Sequence, residues 1–230
     1  MNNKSAFFSS DSTGEAITVS IVKLQDYYYA KDSASFWKKQ FESFNDNNSM
    51  VLLDKKYFNR PDSVSGYTFC LQDTGSSKKI KTTILLKNNY LFTILTLGDT
   101  LNHQSSFTSS FFSSFNAGNN IKEKNIFINP QDTFFARLFS TDSATLAKAQ
   151  QAVSDVHYGE EGAPKIMDAL KKLSPAYKNY FDVKTKLIAE LGYIKDSTKA
   201  VVVDNLKMLY NQTADTSMFQ NEVIDRKSVV

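Results

Sequence analysis

"IKTTILLKNNYLFTILTL", residues Ile80–Leu97, decides the first half of the fold. Two apolar, β-branched runs flank Asn88–Asn89, and a two-residue connection between such runs is the signal of a β-hairpin. Just upstream, "GYTFCLQ" (Gly66–Gln72) sets Tyr67, Phe69 and Leu71 against Thr68, Cys70 and Gln72, the two-residue period of a half-buried strand. "DTGSS" (Asp73–Ser77) joins it to the hairpin as a turn, with Gly75 free to take positive φ. Further out, "ITVSIVKL" (Ile17–Leu24) reads as a central strand and "MVLLDKKYF" (Met50–Phe58) as extended. Between them the period changes. Phe36, Trp37, Gln40, Phe41 and Phe44 recur at helical spacing, with Asp32 or Ser33 as N-cap. After the hairpin, "SSFTSSFFSSF" places Phe107, Phe111, Phe112 and Phe115 on a helical stripe that Ser106 is expected to cap and that should pack on the sheet.

The second half opens after "NAGNNIKEKNIFINP" (Asn116–Pro130), which has five asparagines and no helical period. From Asp142 the pattern is helical, and one phrase occurs twice: "DALKKLS" from Asp168 and "DNLKMLY" from Asp204, 36 residues apart. At an offset of 35–36, Val153 meets Ile188, Val156 meets Leu191, Ile166 meets Val202, Leu170 meets Leu206 and Leu173 meets Leu209. Two helices per repeat of this length is the signature of an α-solenoid, and the absence of a Trp-Leu-Gly pattern favours a HEAT-like repeat over a tetratricopeptide. Two units are present, with "DTSMFQNEVI" opening a third. Either the β-rich half caps the array or the natural chain continues; continuation is the favoured expectation. The expected organisation is an α+β class protein: an antiparallel sheet with covering helices over 1–117, a linker over 118–130 and HEAT-like helical repeats over 131–230.

The closing run of the first half, "KTTILLKNNYLFTILTLGDTLNHQSSFTSSFFSSF", resembles the PsbP/Mog1-type sandwich, a small binding fold. That resemblance implies strands ahead of Ile17, where only "SAFFSS" stands, so the module is expected to lack its first strand. The helical part ("DSATLAKAQQAVSDVHYGEEGAPKIMDALKKL", "YFDVKTKLIAELGYIKD", "LKMLYNQTADTSMFQNEV") resembles the accessory region of long TraB/GumN-type proteins of Bacteroidetes. The Gly-x-x-His and Glu-Arg motifs of their hydrolytic domain do not occur in it, so the resemblance implies an accessory role and no catalytic residue.

The composition, 41% apolar and 22% charged, is that of an ordinary globular protein and not of a disordered one. A formal charge of +3 is too small to argue for nucleic acid, which is not an expected partner. The densest basic run, "KKIK" (Lys78–Lys81), reads as lysines blunting a solvated strand edge rather than as a phosphate site. One cysteine, Cys70, allows no internal disulfide, and the only histidines, His103 and His157, stand in no nucleophile motif with it. His157 lies near Asp155, Glu160 and Glu161, a cluster that reads as a solvated turn, so no metal or other cofactor is expected. No apolar run reaches the roughly 18 residues a membrane span needs, and the first residues do not read as a signal peptide. The compartment stays open; a longer parent protein would allow export to the periplasm or cell envelope.

The expected function is therefore a non-enzymatic binding or scaffolding segment of a larger bacterial protein, working through a protein partner. The alternative is an accessory region that organises substrate for a larger TraB/GumN-type hydrolase. Tyr27, Tyr28 and Tyr29, in "DYYYAKD", are the candidate ligand-contact surface, because aromatic rings at a strand end can stack on a ligand. Lys148, Lys171, Lys184 and Lys207 recur on the helices and are the candidate partner-contact residues of a concave face.

Overall fold

The computed structural model describes residues 3–45, 50–61, 63–101, 104–118, 124–194, 200–212 and 217–227. The chain divides into two compact units. One comprises Met1–Asp26 and Ala30–Ile128; the other comprises Tyr27–Tyr29 and Asn129–Val230. The class is α+β, with a six-stranded antiparallel sheet in the first unit and helices in the second.

The strands of the sheet are β1 (Asn3–Ser9), β2 (Ala16–Lys23), β3 (Met50–Arg60), β4 (Val64–Asp73), β5 (Lys78–Lys87) and β6 (Tyr90–Asp99), in spatial order β1-β2-β6-β5-β4-β3. The hairpin read from Asn88–Asn89 is the β5–β6 pair, with Lys87 opposite Tyr90 and Asn88 at a left-handed φ of 57°. All but the last residue of "SAFFSS" (Ser5–Ser10) lies in the strand β1, which pairs antiparallel with β2. Its residues are exposed along their whole length, so no alternation marks them as a strand. The order also corrects the reading of "KKIK": β5 is an interior strand flanked by β4 and β6, so Lys78–Lys81 protect no sheet edge.

Each face of the sheet is covered by a helix. On one face lies α1 (Ser33–Asn45), whose start is capped by Asp32 accepting from the Ser35 N–H at 2.7 Å. Its Phe41 and Phe44 rings pack edge-on against Phe69, and Trp37 against Tyr67. The opposite face carries α2 (Ser106–Ser114), whose phenylalanine stripe packs on Ile17, Val19, Leu85, Phe92 and Ile94. The capping residue is Ser105 rather than Ser106, its hydroxyl accepting from the Thr108 N–H.

The helical unit runs α3 (Gln131–Leu138), α4 (Ser143–Gln151), a 3-10 turn at Val153–Asp155, α5 (Gly162–Lys172), α6 (Tyr180–Tyr193), α7 (Ala200–Gln212) and α8 (Ser217–Lys227). The helix α6 is its hub, packing against α5, the 3-10 turn, α7 and α8. The apolar positions matched by the 36-residue offset are buried: Val153, Val156, Ile166, Leu170 and Leu173 in the first copy, Ile188, Leu191, Leu206 and Leu209 in the second. The side chain of Val202 lies outside the described residues. The repeated polar pair is a surface device in both copies, with Lys171 3.9 Å from Asp168 and Lys207 3.6 Å from Asp204. The helix α3 has no counterpart in the repeat; its Phe134 and Leu138 are fully buried.

A lysine-floored cleft as candidate ligand-binding site

Alternation along β5 places Leu85, Thr83, Lys81 and Lys79 on one face of the sheet. Leu85 lies under the α2 stripe, whereas Lys81 and Lys79 continue the row beyond it. There a cleft of about 970 Å³ opens, with Lys56, Thr68, Cys70, Lys79, Lys81 and Thr96 in its lining. The register explains the assembly: Lys56 pairs with Thr68, Cys70 with Lys81, and Lys81 with Thr96. Between Leu52 and Lys55 a bulge in β3 breaks the register, and Asp54 within it lines the cleft. The start of α2 and Glu15 close the far side.

Four lysines (Lys56, Lys78, Lys79 and Lys81) face three carboxylates (Asp54, Asp99 and Glu15) around this cleft. Two of the carboxylates are already engaged. Asp99 accepts from the Leu101 N–H at 2.8 Å and from the Ser77 hydroxyl at 2.9 Å, and these bonds hold its carboxyl below the usual range. Glu15 accepts from the N–H and hydroxyl of Ser105 and from the Thr108 hydroxyl, with the same effect. Among the described residues none of the four lysines forms an ion pair. The Lys81 ammonium donates to Gln104 Oε1 at 2.8 Å and sits 4.7 Å above the Phe112 ring, and desolvation pushes its pKa down.

The thiol of Cys70 is pushed up, chiefly by burial, against the pull of Lys81, so it is a protonated thiol at neutral pH rather than a nucleophile. The threonines are also engaged: Thr68 shares a 2.9 Å hydrogen bond with Thr83, and Thr96 donates to the Ala16 carbonyl at 2.7 Å. What the cleft offers a ligand is a small excess of ammonium charge beside the neutral Thr68, Cys70 and Thr96.

The residues expected to contact ligand or partner stand elsewhere. Tyr27 is a correction: it is 4% exposed and belongs to the core of the helical unit, its ring edge-on to Phe134 at 5.2 Å. Tyr28 and Tyr29 are half-buried, and burial raises the Tyr28 phenol. Lys148, Lys171 and Lys207 are exposed, and the last two are tied to their own helices through Asp168 and Asp204. Lys184 is half-buried; its ammonium contacts the Tyr180 hydroxyl at 2.8 Å and lies 4.0 Å over the Phe219 ring. His103 lies outside the described residues. His157, Asp155, Glu160 and Glu161 do not gather: among the described residues no three potential ligands converge on one point. His157 borders a second hollow of about 470 Å³, shared with Tyr158, Gly159, Glu190, Tyr193 and Ile194. The buried Gln131 amide donates to the His157 and Tyr158 carbonyls and fixes the turn there. No described helix is long and apolar enough to cross a membrane.

Sequence reasoning missed the cleft because strand order is not written in any one segment. The signal it left is the Lys79/Lys81 spacing of two, which puts both ammonium groups on one face.

No protein-family model and no curated protein matches the chain. A crystal structure from Bacteroides thetaiotaomicron is similar over 81% of this chain and 70% of its own, at 12% identity and a TM-score of 0.27, too low to carry an argument about fold or function.

Proposed function

We propose that this chain is a non-catalytic binding and scaffolding segment that acts through protein contacts, with the lysine-floored cleft of the sheet unit as its contact surface. The observation that carries the reading is the position of Lys79 and Lys81. They stand on an interior strand, where edge protection gives no reason for charge, and they line an open cleft. A PsbP/Mog1-like sheet unit, a HEAT-like helical unit and an accessory place in a TraB/GumN-type protein belong to the same proposal. They are supported by the helix on each sheet face and by the burial of the repeated apolar positions among the described residues.

The test compares partner capture by the wild-type chain with capture by Lys79→Glu/Lys81→Glu and by Lys148→Glu, in an extract of the organism that makes the protein. A protein retained by the wild type and by the Lys148 variant, but lost with the double variant, is the expected result. Turnover of ester or peptide substrates by the purified chain, or capture indifferent to the cleft, would overturn the reading.

A further inference from the structure

We infer that the segment received by this cleft is an extended acidic peptide with carboxylates at alternate positions, seated on Lys79 and Lys81; the inference rests on the proposed binding function. Three features lead to it. The first is spacing. Residues two apart on a strand lie about 7 Å apart on one face. An extended peptide laid along β5 presents its own alternate side chains at that same interval, so Glu-x-Glu meets Lys79 and Lys81 in register. Lys56 lies two strands across and level with Thr83, about 12 Å from Lys81 by strand spacing and rise, where a third carboxylate, next in the same alternation, would approach it.

The second feature is available charge. Asp99 and Glu15 turn their oxygens to Leu101, Ser77, Ser105 and Thr108 and form no close ion pair with the four lysines, so four ammonium groups face three carboxylates with an excess of one positive charge. Lys81 gives one N–H to Gln104, and an ammonium has three. A carboxylate arriving there supplies an opposite charge that offsets the desolvation penalty on this lysine. The third feature is the border. Asp99, opposite Lys78 at the start of β5, and Asp54, on the β3 bulge to one side, bound the basic patch, which suits a short acidic stretch better than a long polyanion.

The experiment is calorimetric titration of the full chain with the peptide Glu-Val-Glu-Val-Glu, blocked at both ends, and with its Gln-Val-Gln-Val-Gln counterpart. The glutamine peptide should bind at least ten-fold more weakly. Lys79→Gln/Lys81→Gln should lose at least ten-fold for the acidic peptide, Lys148→Gln should lose nothing, and raising salt from 50 to 200 mM should weaken binding. Lys79→Glu/Lys81→Glu should instead bind Lys-Val-Lys-Val-Lys. Should a double variant fail to fold, as judged by Trp37 fluorescence, the single Lys79→Gln at its half-exposed position carries the test. Equal affinity for the glutamate and glutamine peptides would overturn the inference. So would inorganic phosphate binding as tightly as the peptide, or an oligothymidylate binding more tightly. Cleft-dependent capture of a partner without acidic-peptide binding would defeat this inference alone, whereas substrate turnover would defeat the function beneath it.

Discussion

Glu15 and Ser105 lie ninety residues apart and are joined twice: the Ser105 backbone N–H donates to Glu15 Oε1 at 3.4 Å, and the Ser105 hydroxyl donates to Oε2. The Thr108 hydroxyl adds a third bond at 2.9 Å. A carboxylate supplied from the β1–β2 connection therefore occupies the positive end of α2. That helix end is closed to any ligand, and so the acidic segment inferred for the cleft must use the lysines.

The same carboxylate makes the sheet unit acid-sensitive. The Ser105 hydroxyl, first among its causes, holds Glu15 below its ordinary value of 4.5. A lowered folded-state pKa means stability that is complete above the unfolded value and lost as pH falls through the folded one. Glu15→Gln should cost on the order of 0.5 kcal/mol at pH 7, after solvent screening at a half-exposed site. It should also flatten the decline below pH 4.5. Urea unfolding at pH 7 and pH 3, followed by the fluorescence of the single tryptophan, Trp37 on α1, reads this directly; parallel losses in both proteins would refute it.

Gly66 is where β4 can carry no side chain. A Cβ there would stand 2.1 Å from the Ile84 carbonyl oxygen, 2.9 Å from Leu85 Cα and 2.8 Å from the Phe58 ring. The ring can turn aside but the β5 backbone cannot, so Gly66→Ala should destabilise the sheet unit by about 3 kcal/mol or more. The tryptophan transition should move to lower urea. An unchanged midpoint would show that β5 shifts freely.

How much of this was legible follows from which residues announce themselves locally. The strands β4, β5 and β6 were readable because Tyr67/Phe69/Leu71 and the two runs around Asn88–Asn89 carry period and turn within a few residues. The helices of the second half were readable because their apolar residues recur at helical spacing, and those of the matched positions that are described are buried. By contrast β1 is exposed throughout and shows no alternation, and α3 is eight residues long, too short to show a period. Tyr27 misled because an aromatic run at a strand end reads as surface until its partner is known, and Phe134 is 107 positions away. The cleft needs four strands and the start of a helix in their spatial order. No segment contains that order, and "KKIK" was read as an edge for this reason.

Tyr27 should accordingly behave as a core residue of the helical unit. With 4% exposure and an edge-on contact to Phe134, truncation to alanine removes a buried ring. The expected cost is about 3 kcal/mol or more, as for other buried aromatics. Far-UV circular dichroism on heating should show the helical signal melting earlier, while Tyr29→Ala, at a half-buried position, should cost much less. Equal effects of the two variants would return Tyr27 to the surface role first expected of it.

Lys184 separates a structural role from a partner-facing one. Its ammonium lies 4.0 Å over Phe219, a residue of α8 that is 1% exposed, and 2.8 Å from the Tyr180 hydroxyl on its own helix. Phe219 also stacks on Phe181 at an interplanar angle of 11°, so the lysine forms one side of the seam between α6 and α8. A cation over a ring in a partly desolvated seam contributes about 1 kcal/mol, and the aliphatic stem adds packing. Lys184→Ala should therefore lower the melting temperature of the helical signal. Lys148→Ala, at an exposed position on α4, should leave it unchanged. Lys184→Met, which keeps the stem and loses the charge, should fall between the wild type and the alanine variant. If instead both alanine variants melt like the wild type and both weaken partner capture, the four helical lysines form one contact surface and the seam owes nothing to the charge.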